Sequence, residues 1–462
     1  MNKLSAKTII ILFLISIFLN AQSNFIKGVD VSTLLQIEDN GGVFKENGIV
    51  KDPIEIFKDN HINYVRLKLW HTPTSGYNNI QKVLITAQRI KSNGLKFLLD
   101  FHYSDWWADP ANQTKPVAWN GLTIQQLNDS IYYYTRNVIS TLKLNGVLPD
   151  IVQIGNEIIC GMLWNDGRIC EQYNTQQQWQ NFTGFLKEAI RGVNDAIAFN
   201  DSVKIMIHID RGGDNNGARW FYDGLQTYNV EYDIIGLSYY PWWQGTLNDL
   251  QNNLNDLAMR YGKDIIVVET AYPWTLGWND NTTNIVGNSN QLLSGYPATV
   301  QGQKDFLIDL IDIIQNTSSE KGIGIFYWEP DWISTSTFGS PWENLALFDF
   351  SGELLSSISA FDTTLTDLAN VEKFIDEFYL FQNFPNPFNP TTKISWQSQV
   401  ASWQALKVFD VLGNEVRILV NEYREAGNYE IEFDASNLPS GIYFYKLQAG
   451  DFVQTRKMTL VK

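Results

Sequence analysis

Eight apolar, β-branched runs recur along the chain, and none alternates strictly between polar and apolar positions. They read IKGVDVS (26–32), YVRLKLW (64–70), KFLLDFHY (96–103), IVQIGNE (151–157), KIMIHID (204–210), IIGLSYY (234–240), DIIVVET (264–270) and GIGIFYWEP (322–330). Continuous runs suit parallel strands covered on both faces, whereas a half-exposed antiparallel strand alternates. Between them lie helix-like segments such as IQKVLITAQRIKSNG, with Gly94 placed to end it, and LIDLIDIIQNTSSEKG. Strand and helix repeated eight times predict an α/β fold of the (β/α)8 TIM-barrel type over about residues 25–360.

Chemistry in such a barrel gathers at the C-terminal strand ends. Here those ends carry Asp30, Arg66, Trp70, Asp100, His102, Asn156, Glu157, His208, Asp210, Tyr239, Tyr240, Glu269, Trp328 and Glu329. One polar strand end reads equally well as the first residue of a loop, but eight converging on one face define a pocket. Glu157 closes the fourth run and Glu269 the seventh, so the two carboxylates are expected to face each other across the barrel mouth. Glycoside hydrolysis needs such a pair: one carboxylate attacks the anomeric carbon, and the other protonates the departing oxygen and then activates water. A rim salt bridge is the plain alternative for each glutamate. Against it stand Asn156, an amide able to bond a sugar hydroxyl, and Arg66, a cation able to keep a neighbouring carboxylate ionised.

Composition supports a carbohydrate ligand. Aromatic residues make up 14% of the 462 positions, with 16 tryptophans. Ten of these (70, 106, 107, 164, 242, 243, 274, 278, 328 and 332) lie at or just after strand ends, where indole faces can stack on sugar rings along a groove. A net charge of −16 and no basic patch argue against nucleic acid as a partner. Residues 1–21 read as a secretory signal peptide: Lys3 and Lys7 precede an apolar stretch from Ile9 to Leu19, and Ala21 offers a cleavage site. Its removal takes away two positive charges and leaves −18. No other segment is long and apolar enough to span a bilayer, so the mature chain is expected to lack a transmembrane segment. Cys160 and Cys170, the two cysteines of the chain, are a disulfide candidate in an exported protein.

The motifs GVDVS, VRLKLW, LDFHYSDWWADPANQTKPVAW, QIGNEI…GMLW, VVETAYPW and ENLALFDF together resemble glycoside hydrolase family 53, the endo-β-1,4-galactanases. The resemblance covers about residues 25–360, and the 98–119 block is its most specific part. It implies retaining cleavage of β-1,4-galactan, the side chain of type I arabinogalactan and pectin, with Glu157 as acid/base and Glu269 as nucleophile. It further implies that Asn156 contacts the 2-hydroxyl of the cleaved sugar. Arg66 and one of Tyr239 or Tyr240 would orient Glu269, and Trp328 would floor that subsite. Asp100, His102, Trp107 and His208 complete the expected substrate-binding set. No cofactor is implied for the reaction. Some members of the family hold calcium between the last two loops. Asp280, Asn281 and Asn284 offer oxygen ligands here, but their spacing fits no defined pattern and reads as a solvated polar loop. A zinc site built from His71, His102 and His208 is the remaining metal alternative, without supporting carboxylate spacing.

After about residue 361 the pattern changes. Residues 361–378 form a polar connector, and residues 379–462 carry short strands broken by turn signals such as VLGNE, REAGNYE and NLPSGIY, predicting a small all-β sandwich. PNPFNPTTKI, VFDVLGNEV, LPSGIYFYKLQAGD and the terminal KMTLVK resemble the C-terminal sorting domain of type IX secretion. That implies export across both membranes, with the secretion machinery as a partner and a secreted or cell-surface destination. A monomer is expected for an exported enzyme with a polymer groove. The rival readings are another clan A endo-glycanase acting on mannan, xylan or glucan, a catalytically inactive polysaccharide-binding barrel, and a surface adhesin.

Overall fold

The computed structural model describes residues 25–362, 379–383, 385–398, 401–425, 427–450 and 452–462. The signal peptide and positions 363–378 of the connector lie outside the described residues. Two compact units divide at Phe361/Asp362.

The first unit is a closed parallel barrel. Its strands are β1 (Ile26–Asp30), β2 (Tyr64–Leu69), β3 (Lys96–Phe101), β4 (Ile151–Ile154), β5 (Lys204–Ile209), β6 (Ile234–Ser238), β7 (Asp264–Thr270) and β8 (Gly322–Trp328). β1 pairs with both β2 and β8, which closes the ring. All eight runs read from the sequence are these strands.

The continuity of the runs has a structural cause. One side of each strand meets the surrounding helices, and Val65, Leu67, Phe97, Leu99, Ile207, Ile235, Val267 and Ile325 join that outer core. The other side points into the barrel, where Ile26, Tyr64, Leu98, Ile151, Met206, Ile234, Ile266 and Phe326 form a second apolar cluster, one residue from each strand. Gly28 is required here, because a Cβ on it would lie 2.2 Å from the Phe326 ring.

Counting in twos from that inner layer toward the strand ends gives Asp30, Arg66, Lys68, Asp100, Gln153, His208 and Ser238, all fully or almost fully buried. The barrel is therefore apolar at its floor and polar toward its C-terminal mouth. The helices are set by side-chain caps. Asn79 accepts a hydrogen bond from the Lys82 amide at the start of Ile80–Ser92, and Thr123 with Gln126 forms a capping box on Ile124–Leu144. Gly94, in the left-handed region at φ 74°, follows the first of these helices where the sequence placed its end. Phe361 is buried in the barrel core, so the barrel unit extends one residue into the expected connector.

The second unit is all-β and antiparallel. One sheet joins β9 (Tyr379–Leu380), β10 (Thr391–Ser398) and β13 (Gly427–Asp434), and the other has the order β12 (Glu415–Arg424), β11 (Ser402–Phe409), β14 (Gly441–Ala449), β15 (Phe452–Leu460). Leu380, Ile394, Trp396 and Phe433 of the first sheet share a core with Leu406, Val408, Tyr445, Leu447 and Met458 of the second. The Trp396 indole donates to Gln404 Oε1 at 2.7 Å. That tryptophan is thus a core residue of a sandwich. Among the described residues, no helix is long and apolar enough to cross a membrane.

Candidate active site

The polar inner layer surrounds one guanidinium. Arg66, buried on β2, donates through Nη1 to Asp30 Oδ2 and Glu269 Oε1, both at 2.8 Å. Its Nη2 reaches Asp100 Oδ2 and Asn156 Oδ1, both at 2.9 Å, and Nε reaches Gln153 Oε1 at 3.2 Å. Burial opposes the positive charge, but Asp100, Glu269 and Asp30 outweigh it and lift the guanidinium pKa above its ordinary value.

Glu269 stands on β7 beside an irregularity in the sheet. The β6–β7 register runs Leu237↔Val267 and then Ser238↔Glu269, so one extra residue on β7 turns the glutamate into the mouth. Its second oxygen accepts from the Tyr240 hydroxyl at 3.1 Å. Burial pushes the Glu269 carboxyl up to about 7 against the pull of Arg66, with Asp30 and Asp100 adding to the rise.

Glu157 follows β4 with φ 48° and ψ 47°, a left-handed conformation rare for a residue with a side chain. Among the described residues no cation pairs with it. Ser238 donates to its Oε1 at 2.6 Å. Burial holds its carboxyl well above the ordinary range, and the charges of Glu269 and Asp210 add to that. Two carboxylates thus share one cavity with unequal surroundings. Glu269 is held by a cation and a phenol, and Glu157 by a neutral hydroxyl.

The cavity is about 330 Å³ and is lined by nine of the residues expected from the sequence: Arg66, Asp100, His102, Trp107, Asn156, Glu157, Tyr240, Glu269 and Trp328. The other two lie elsewhere. Tyr239 points to the opposite side of its strand, is fully buried, and gives its hydroxyl to the Gly245 carbonyl at 3.0 Å. Tyr240 is therefore the tyrosine that holds Glu269. His208 lies behind the wall, fully buried, with Nε2 2.8 Å from Ser238 Oγ. Burial, with Arg66 and His102 adding to it, holds its pKa well below the ordinary value, so it is neutral.

Two polar residues of the site, one lining the cavity and one behind it, were hidden inside the apolar runs. Lys68, two positions after Arg66, pairs with Glu329 at 2.8 Å, and its ammonium lies 3.8 Å from the centre of the Trp107 ring. Gln153 bonds Arg66, Asp100 and His208 together from within IVQI. Parity with the strand-end residues was the available signal for both. Trp332 and Trp342 line the cavity beside Trp328, and Trp243 stands at its edge.

The two cysteines form a disulfide, Cys160–Cys170, closing the loop that begins three residues after Glu157. Both carboxylate oxygens of Asp280 hold backbone amides. Its Oδ1 accepts from the Thr282 amide at 2.6 Å and its Oδ2 from the Ser340 amide at 2.8 Å, so it ties the β7 loop to the β8 loop by itself. Asn284 is buried and Asn281 exposed. Among the described residues no group of three or more His, Cys, Asp or Glu side chains converges, and Asn284 Oδ1 lies buried without a hydrogen-bond partner. The three histidines also stay apart: His71 bonds Thr72, His102 bonds Asp100, and His208 bonds Ser238.

A closed parallel barrel whose mouth presents two unequally held glutamates, one buried and one half-buried, among tryptophans is the architecture of a glycoside hydrolase. Residues 26–361 match the model of glycosyl hydrolase family 53, and the chain belongs to that family. Residues 382–461 match a secretion-system C-terminal sorting domain, which marks the chain for export through the type IX system. An arabinogalactan endo-β-1,4-galactanase of Cellvibrio japonicus is 34% identical over 70% of this chain and 86% of its own length. An endo-β-1,4-galactanase of Bacillus subtilis is 32% identical over 73% of this chain and 85% of its own. The solved family 53 catalytic domain of Ignisphaera aggregans superposes with a TM-score of 0.69 at 39% identity, covering 74% of this chain and 96% of that one.

Proposed function

We propose that the exported barrel is an endo-acting, retaining hydrolase of β-1,4-galactan, the polymer of type I arabinogalactan and pectin side chains. The observation that carries this reading is the asymmetry between Glu157 and Glu269. Glu269, held by Arg66 and Tyr240, is the carboxylate equipped to stay ionised and attack the anomeric carbon. Glu157, without a cation, keeps a proton to give to the departing oxygen and later takes one from water. Asn156 is anchored by Arg66 on its oxygen and by the Ala108 carbonyl on its amide at 2.9 Å, which leaves one N–H for a sugar hydroxyl. Lys68 and the indoles of Trp107, Trp328 and Trp332 offer the mixture of polar anchors and flat apolar faces that pyranose rings require. The choice of galactan rests on the names of the relatives.

Reducing-sugar release from linear β-1,4-galactan, mannan, xylan and carboxymethylcellulose, with Glu269→Ala as the blank, tests the reading. Activity confined to galactan and absent from the variant is the expected result. Activity on another glycan would keep the two glutamates and discard the substrate. Silence on all four would favour a binding barrel. Proton NMR of the first-formed product decides retention against inversion.

A further inference from the structure

Ser238 has no part in the two-glutamate scheme, yet its hydroxyl touches the acid/base directly. It sits at the end of β6, fully buried, 2.6 Å from Glu157 Oε1 and 2.8 Å from His208 Nε2. A serine hydroxyl has one proton to donate. Its direction is therefore set by whichever neighbour cannot accept.

His208 is that neighbour when its imidazole proton lies on Nε2. Arg66 Nε donates to Gln153 Oε1 at 3.2 Å, which fixes the orientation of the Gln153 amide. Its Nε2 then donates one proton to Asp100 Oδ1 at 2.7 Å and has the Gly155 carbonyl at 3.0 Å, Asn156 Oδ1 at 3.1 Å and His208 Nδ1 at 3.1 Å around the second. Asn156 Oδ1, 3.0 Å from the same Nδ1, already accepts from Arg66 Nη2 at 2.9 Å. Assigning the second Gln153 proton to Nδ1 puts the imidazole proton on Nε2, pointing at Ser238.

We propose that Ser238 is the positioning residue of the acid/base: His208 donates to its oxygen, Ser238 donates to Glu157 Oε1, and the acid proton is thereby confined to Glu157 Oε2. This rests on the acid/base reading of Glu157. No proton needs to cross the serine in either step. When Glu157 protonates the leaving oxygen and becomes a carboxylate, the same hydrogen bond remains and stabilises the anion that will activate water. The polarity of the chain His208–Ser238–Glu157 is the same in both halves of the reaction. The other groups that bear on Glu157 are the Glu269, Asp210 and Asp109 carboxylates and the Tyr240 phenol, and none of them is a cation. Ser238 is thus the donor that this carboxylate has among the described residues.

The role separates from mere packing in three measurements. Ser238→Ala should lower kcat on galactan by about tenfold or more, the lower range of a general-acid contribution. It should also move the alkaline limb of kcat/KM upward, because a hydrogen bond given to the carboxylate has gone. With an aryl β-galactobioside whose leaving group needs no proton, kcat/KM should fall by less than about threefold. Ser238→Thr, which keeps the hydroxyl, should restore the alkaline limb. In the unaltered protein, nitrogen-15 NMR of His208 should show a protonated Nε2 and a bare Nδ1 throughout the active pH range. A proton on Nδ1 would overturn the proposal even if the variants fail to fold. So would equal losses on both substrates in Ser238→Ala while Glu157→Ala still spares the activated one. If Glu157→Ala itself loses both substrates equally, the acid/base assignment fails first.

Discussion

Arg66 and Glu269 lie 203 positions apart and meet at 2.8 Å on a nitrogen that also holds Asp30. One cation thus serves three buried carboxylates, with Asp100 as the third. Replacing it by Met leaves those charges without a counter-ion. Arg66→Met should destabilise the barrel by about 3–5 kcal/mol, the loss expected when one partner of a buried pair is removed. Denaturant melts at neutral pH measure this, and an unchanged midpoint would contradict the hub role.

The two glutamates should give a bell-shaped pH profile. In the proposed mechanism the working form has Glu269 ionised and Glu157 protonated. Activity rises as pH climbs through the Glu269 value, which burial places near 7, and falls as pH passes the Glu157 value, which burial raises well above the ordinary range. Initial rates on galactan across pH 4–10 check the order of the limbs.

Tyr240→Phe removes the donor to Glu269 Oε2 and nothing from Glu157. A hydrogen bond to a charged group is worth about 1.5–3 kcal/mol, so kcat/KM should drop roughly ten- to a hundredfold. The acid limb should move up and the alkaline limb stay in place. Tyr239→Phe, by contrast, loses only the bond to Gly245 and should leave both limbs unmoved.

The Cys160–Cys170 bond closes a ten-residue separation directly after the acid/base. A loop of this size constrains the unfolded chain by about 2–3 kcal/mol. Cys160→Ser/Cys170→Ser should lose about that much stability in denaturant melts. It should also lose more activity on galactan than on an activated aryl glycoside, because the loop carries Glu157 and not Glu269.

The strands were legible because burial on both faces leaves long apolar runs. The two glutamates were legible because they end such runs. Period two also separates Tyr240 from Tyr239: Ser238 and Tyr240 share the inner face, and Tyr239 takes the other. Lys68, Gln153 and Ser238 follow the same parity but sit among apolar neighbours, where a lone polar residue draws little attention. His208 fits the parity and still misses the cavity wall. Strand tilt decides how high an inner residue stands, and one strand read alone does not carry that. That Asp280 joins two loops was not legible, because its partners are backbone amides, which leave no trace in side-chain spacing.

Glu157 holds φ 48° and Glu329 holds φ 47°, each where the chain leaves a strand. Backbone of this kind costs about 1–3 kcal/mol for a residue with a side chain and persists because its surroundings over-determine it. Glycine would relax both turns at once. Selection for heat resistance alone would therefore drift toward Glu157→Gly, giving a sturdier barrel with nothing left to donate a proton. A thermostability campaign on this scaffold has to screen every round for turnover as well as for melting.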